Sequence, residues 1–260
     1  ATPVFVKTDA ENQYQPVFDD LEAKITKNTK GIIINSPSNP TGGVWSDDAI
    51  QKTVDIARSH SLWVFSDECY EQLTYSQQYN STYDLCSDYD RILTFQSCSK
   101  TYAMTGWRIG YTCGDSAVIG AMSKLQGQST SCPNSIAQYA AIEALSGPQD
   151  EIQVMKNAFK RRRDYIVSKL NNIEGITCDT PGGAFYVFPN ISGLLNKKHR
   201  GNCLSTPNDL SMALLNEYSI VTVSGESFGS NLNIRLSYAT SDKLLEDALN
   251  KLSEFVNQID

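Results

Sequence analysis

The stretch from Thr94 to Gly110, TFQSCSKTYAMTGWRIG, sets a lysine, Lys100, among small polar residues just past an apolar, β-branched run, with Arg108 eight positions on. A lysine near the protein interior can act as a nucleophile and form a Schiff base with an aldehyde. An arginine on the same short segment can clamp a phosphate through its planar fork. Two more polar residues follow apolar runs in the same way: Asp67 comes after Leu62-Trp63-Val64-Phe65, and Asn39 after Gly31-Ile32-Ile33-Ile34-Asn35. An aspartate at a neighbouring strand end could hold a protonated ring nitrogen as an ion pair. Aldehyde, pyridinium and phosphate are the three handles of pyridoxal phosphate, and Lys100, Asp67 and Arg108 offer one partner for each.

Such residues need elements to carry them. Gly31–Asn35, Leu62–Phe65 and Ile92–Phe95 read as buried strands, and amphipathic, helix-like segments alternate with them. Ser46-Asp47-Asp48 before Ala49-Ile50 is an N-cap with acids in the first turn, opening a helix over Asp47–His60 in which His60 reads as a cap at the dipole's negative end. This β-α alternation predicts an α/β chain with a largely parallel sheet and helices on both faces, where ligands gather at the carboxyl ends of strands. Asn39, Asp67 and Lys100 taken singly read as turn residues or surface charges. At equivalent positions on successive strands they predict one shared site. From Asn134 to Leu170 the pattern turns helical, broken at Ser146-Gly147-Pro148. Short strands follow at Ile176–Cys178, Gly182–Phe188, Ile220–Val223 and Asn233–Tyr238, and a helix over Asp242–Gln258 ends the chain. The expected division is a partial large domain over 1–155 and a smaller α+β domain over 156–260. The first residues, Ala1–Val6, read as a strand already under way and not as a signal peptide.

The totals narrow the function. A chain of 260 residues suffices for one large or two modest domains, and 40% hydrophobic with 20% charged residues is ordinary for a globular protein. A net charge of -7 argues against nucleic acid or an anionic membrane as partner, and no apolar run reaches the length of a span. Seven cysteines without metal-ligand spacing predict neither disulfides nor a metal site, and fit a reducing, cytoplasmic compartment. Only two histidines occur, His60 and His199, which makes serine–histidine hydrolysis a poor reading.

Several stretches together resemble the class I/II aminotransferases, the aspartate aminotransferase family. Ser97-Cys98-Ser99-Lys100 with Met104-Thr105-Gly106-Trp107-Arg108-Ile109-Gly110 matches the family's cofactor-attachment signature. Asn35–Gly42 resembles its NPTG turn, Ser66-Asp67-Glu68-Cys69-Tyr70 its DExY strand end, and Asn233-Ile234-Arg235-Leu236-Ser237 its C-terminal arginine strand. MTGWRIGY and QGQSTSCPNSIAQ look most like the prokaryote-type aspartate/prephenate branch, and order and spacing agree along the whole chain.

The resemblance implies the fold type I pyridoxal-phosphate transferase architecture and a transaminase working by a ping-pong mechanism between an amino acid, aspartate by branch, and a 2-oxo acid such as 2-oxoglutarate. It gives Lys100 the Schiff base and the proton shuttle, and Asp67 the ring nitrogen. Asn39 and Tyr70 take the ring's phenolic oxygen, Ser97 and Arg108 the phosphate, and Arg235 the substrate α-carboxylate. Asn39 also borders the substrate. It implies a homodimer, because the family's active site is shared between subunits. Other readings stand beside these: Tyr70 as packing, Arg235 as a structural ion-pair partner, and Ser97 as one of several small residues that serve at its position. The Gly182–Phe185 turn and the Gly225–Gly229 loop read as shaping the pocket. Family members carry a further N-terminal portion that helps cradle the phosphate and choose the substrate, and it is not present before Ala1. A piece of a complete enzyme is the favoured reading. A lyase of the same fold, resembling the aminocyclopropane-carboxylate synthases, and a truncated non-catalytic remnant are the alternatives.

Overall fold

The computed structural model describes residues 1–75 and 78–260. The chain divides into two compact units, Ala1–Ser38 with Gly43–Val154, and Asn39–Gly42 with Met155–Asp260.

The first unit runs α1 (Phe18–Lys24), β1 (Gly31–Asn35), α2 (Asp47–Ser59), β2 (Trp63–Asp67), α3 (Thr82–Leu85), β3 (Ile92–Ser97), α4 (Cys98–Thr101), β4 (Gly110–Gly114), α5 (Ser116–Ser129) and α6 (Ser135–Ser146). Its four strands lie in sequence order, with β1, β2 and β3 parallel and β4 antiparallel to β3. The architecture is therefore α/β with a mostly parallel sheet. Helix starts are local: the Ser46 hydroxyl accepts the Ala49 N–H, Asp47 and Asp48 fill the first turn of α2, and His60 is its C-cap. The register sets Asp67 opposite both Asn35 and Phe95, so β1 and β2 end level while β3 runs on two residues to Ser97.

Ile32, Ile34, Val64 and Ile92 pack under Leu21 of α1 and Val54, Ile56 and Ala57 of α2. Each such side chain contributes about 1.5–3 kcal/mol on burial. The opposite face differs from the expectation of helices on both sides, because Ile33 is 74% exposed. The alternation of a strand turns every second side chain to that face, and none of the described residues covers it at Ile33. The expected strand at Ala1–Val6 does not form either. A strand needs a pairing partner, and here the segment is tied to α1 instead: Phe5 O accepts from Lys24 Nζ, and the Lys7 N–H donates to Asp20. Helix α5, capped by the Asp115 carboxylate, carries no signal that the sequence reading used.

The unit boundary falls within α7 (Asp150–Asn171). The second unit continues with β5 (Tyr186–Val187), the hairpin β6 (Lys198–His199) and β7 (Asn202–Cys203), α8 (Pro207–Tyr218), β8 (Val223–Ser224), β9 (Ile234–Ser237) and α9 (Asp242–Val256). Its sheet has the order β5-β9-β8, all antiparallel. Phe159 of α7 meets Phe185 and Tyr238 at centroid distances of 5.4 and 6.3 Å, and Arg161 and Arg162 both bind Asp242 at the start of α9. The strands are shorter than predicted. Ile176–Cys178 holds only a single bridge, Thr177 to Asn190, and Gly182–Phe188 pairs only at Tyr186–Val187. Among the described residues no helix is long and apolar enough to cross a membrane.

Candidate active site

Two groups of the predicted residues have defined geometry, one in each unit. In the first unit, β2 ends on Asp67, whose side chain is exposed at the strand's carboxyl end. Its Oδ1 accepts the Cys69 N–H at 3.2 Å, which pins the carboxylate at the start of the following turn. That turn folds back on itself, with the Leu73 N–H donating to Tyr70 O, and buries Tyr70 to 5% exposure.

The neighbouring strand β3 ends on Ser97, which caps α4 by accepting the Ser99 N–H at 3.1 Å. Helix α4 then delivers Lys100, half-buried, with Nζ 6.0 Å from the Tyr70 ring centroid. The loop closes where the Cys98 N–H donates to Ile109 O, so β4 returns alongside β3 with Ser97 opposite Gly110. A Cβ at Gly110 would stand 2.6 Å from Gln96 O, so only glycine permits this approach. Behind the loop, Cys98 and Met104 pack against Ala141 of α6 with Tyr102, Ile109 and Tyr111 around them.

Cys69 reports how close these groups stand. Burial pushes its thiol up, the Asp67 carboxylate pushes the same way, and the Lys100 ammonium and a hydrogen bond to Ser97 pull it down. Asp67, Tyr70, Ser97 and Lys100 are thus brought together at the carboxyl ends of β2 and β3. Cys69 lies among them, although the sequence reading gave it no role. Arg108 is exposed, sits in left-handed backbone (φ 53°), and donates from Nη1 to Thr105 O at 2.9 Å. With Trp107, Gly106, Ala103, Asn134 and Ile136 it lines a cavity of about 630 Å³.

In the second unit, Arg235 projects from β9 and donates from Nη1 to Asn39 Oδ1 at 2.8 Å. Its guanidinium carbon lies 4.6 Å from the Tyr186 ring centroid and 5.2 Å from that of Phe228. Two aromatic faces and one amide oxygen therefore orient a planar cation, each ring contact contributing about 0.5–2 kcal/mol. Asn39 is held in turn because the Gly183 N–H donates to Gly42 O. Gly42 is in left-handed backbone (φ 68°), and a Cβ there would meet Gly183 O at 2.8 Å. The structure thus sets Asn39 beside Arg235. Tyr186 and Phe228 as the walls of this slot were missed, though Phe228 falls in the Gly225–Gly229 loop read as pocket-shaping and Tyr186 directly follows the Gly182–Phe185 turn.

Chemically, the first group offers an amine, a carboxylate, a phenol and a hydroxyl at adjoining strand ends. The second offers a fork-shaped cation suited to a carboxylate. The donor set fits pyridoxal phosphate at its aldehyde, ring nitrogen and ring oxygen.

Comparison with known proteins agrees with this chemistry. The family described as "Aminotransferase class I and II" matches residues 1–252. The chain is 44% identical to an aspartate/prephenate aminotransferase of Cereibacter sphaeroides over 98% of its own length and 64% of the relative's. It is 40% identical to an aspartate aminotransferase of Bacillus subtilis, covering 98% of this chain and 65% of that protein. A solved aspartate aminotransferase from Rhizobium meliloti superposes with a TM-score of 0.95 at 37% identity, covering 99% of this chain and 66% of that one. The chain thus spans a little under two thirds of the length of the curated relatives it matches. With its cofactor-attachment signature, its strand-end carboxylate and its C-terminal arginine strand in order along a matching fold, this chain belongs to the class I and II aminotransferase family.

Proposed function

We propose that this chain serves a pyridoxal-phosphate-dependent transaminase that moves an amino group between an amino acid and a 2-oxo acid, with aspartate and 2-oxoglutarate as the pair. The observation that carries the reading is the Lys100 amine standing by the Tyr70 ring, with Asp67 and Ser97 alongside at the ends of parallel strands. Lys100, Asp67, Tyr70, Ser97 and Arg108 are the residues that would hold the cofactor, which supplies an electron-withdrawing ring for the substrate's α-carbon.

Lys100 Nζ would hold the cofactor at its aldehyde and would move the proton at the substrate's α-carbon. Asp67 keeps a positive charge on the ring nitrogen, and Tyr70 donates a hydrogen bond to the ring oxygen. Ser97 and Arg108 take the phosphate. Arg235, aligned by Asn39 and its two rings, grips the α-carboxylate and so orients the bond to be broken. Relatives named as transaminases, among them an asparagine–oxo-acid transaminase of Streptococcus mutans at 39% identity, favour amino transfer over the lyase reaction. The homodimer implied by the family and a cytoplasmic setting complete the proposal.

The test is the visible spectrum with pyridoxal phosphate. We expect a bound-cofactor band that falls on adding aspartate and returns on adding 2-oxoglutarate, with no such cycle in Lys100→Ala. A band that ignores aspartate but cycles with another amino acid overturns the substrate; no band overturns the enzyme.

A further inference from the structure

Glu68 follows Asp67 directly, yet its side chain turns the other way and is fully buried. Its Oε1 accepts the Thr82 N–H at 2.9 Å, and its Oε2 accepts from the Ser81 hydroxyl at 2.8 Å and from Gln96 Nε2 at 3.2 Å. Gln96 Nε2 also donates to Glu71 Oε2 at 3.1 Å. A carboxyl–amide–carboxyl chain therefore runs from the residue after Asp67, through the residue before Ser97, to the residue after Tyr70. The Ser66 and Thr82 hydroxyls, 2.8 Å apart, add a second tie between β2 and α3.

Two carboxyl groups bridged by one amide nitrogen repel each other when both are charged, the more so away from water. Glu68 receives three donors. Glu71 is half-buried and receives the amide of Gln96. The groups that face it are Glu68 at the end of β2, Asp84 on α3, and the phenols Tyr79, Tyr102 and Tyr111. The Glu68 and Asp84 carboxyls push the Glu71 carboxyl up, and hydrogen bonds from Gln72 and Gln96 pull it down.

We propose that Glu68, Gln96 and Glu71 are positioning residues for the Lys100 site: a carboxyl–amide–carboxyl chain that sets the spacing between the strand end bearing Asp67 and Tyr70 and the one bearing Ser97 and Lys100. The proposal rests on the functional reading only for what is being positioned; the chain stands on its own geometry.

The Glu71 carboxyl is pushed up, by burial first and by Glu68 next. A folded-state value raised above the unfolded one stabilises the fold at acid pH, and that stabilisation is lost as pH climbs through the raised value. Thermal melts from acid to mildly alkaline pH are therefore the first test. As pH rises, Glu71→Gln, shaped like the neutral acid, should gain Tm relative to wild type, by on the order of a few degrees. A Tm difference between Glu71→Gln and wild type that stays constant with pH overturns the raised Glu71 carboxyl and its place in the chain. The brace is tested by hydrogen exchange in Gln96→Ala, which should speed exchange about tenfold or more in both segments, 67–73 and 95–101. Faster exchange in one segment alone, or in neither, overturns the brace. Pyridoxal-phosphate binding is read separately on the same proteins. A wild type that binds none sinks the functional reading, while the melts and the hydrogen exchange still decide the chain.

Discussion

Arg235 shows what single residues contribute beyond charge. Its guanidinium is flanked by Tyr186 and Phe228 and tied at one arm to Asn39, so its plane is set before a substrate arrives. Preorganisation of this kind lowers the entropy cost of a bidentate carboxylate pair. Arg235→Lys keeps the charge but loses the fork and the stacking. We expect kcat/KM for aspartate to fall by about 10- to 100-fold, most of it in KM, the change that about 1.5–3 kcal/mol of lost interaction produces. Steady-state kinetics across aspartate concentrations check this, and a fall confined to kcat would move Arg235 out of carboxylate binding.

Elements act by fixing where loops begin and end. β3 and β4 run antiparallel, and the segment from α4 through the 3-10 turn Thr105–Trp107 is the excursion between them that carries Lys100 and Arg108. Gly110 is where that excursion rejoins the sheet, close against Gln96 O. Gly110→Ala must push β4 away from β3 or strain it, costing about 1–3 kcal/mol as overpacking does. Denaturant unfolding should register that loss, with weaker pyridoxal-phosphate binding beside it, because Ser97 lies directly opposite Gly110. A variant as stable as wild type would show that β4 yields freely and does not hold the Lys100 segment.

For the whole molecule the informative surface is apolar. Ile136, Tyr139, Ile142 and Leu145 recur every third residue along α6 and are all exposed, Tyr139 at 77% and Ile142 at 59%, and Leu125 of α5 is exposed as well. Neighbours three apart adjoin on a helix, and exposed apolar surface of this extent is costly to leave in water. The proposed homodimer is tested there. The double variant Tyr139→Glu with Ile142→Glu should sediment as a monomer with its helical circular dichroism retained. A dimer that survives both charges puts the subunit contact elsewhere.

What the sequence by itself determined is what adjacent residues decide. The strand cores, the Ser46 cap, the break between α6 and α7 and the Lys100 segment are short-range patterns of polarity and backbone preference, and β1 and α2 begin where those patterns place them. Ala1–Val6 failed for the complementary reason: alternation describes a strand's faces but does not provide the neighbour it must pair with. The Glu68–Gln96–Glu71 chain, the Cys69 thiol beside Asp67 and Lys100, and the Tyr186–Phe228 slot for Arg235 were likewise out of reach of the sequence. Each depends on which strand lies beside which and in what register. Those are long-range choices, made by the packing of the assembled sheets, and only the tertiary structure decided them.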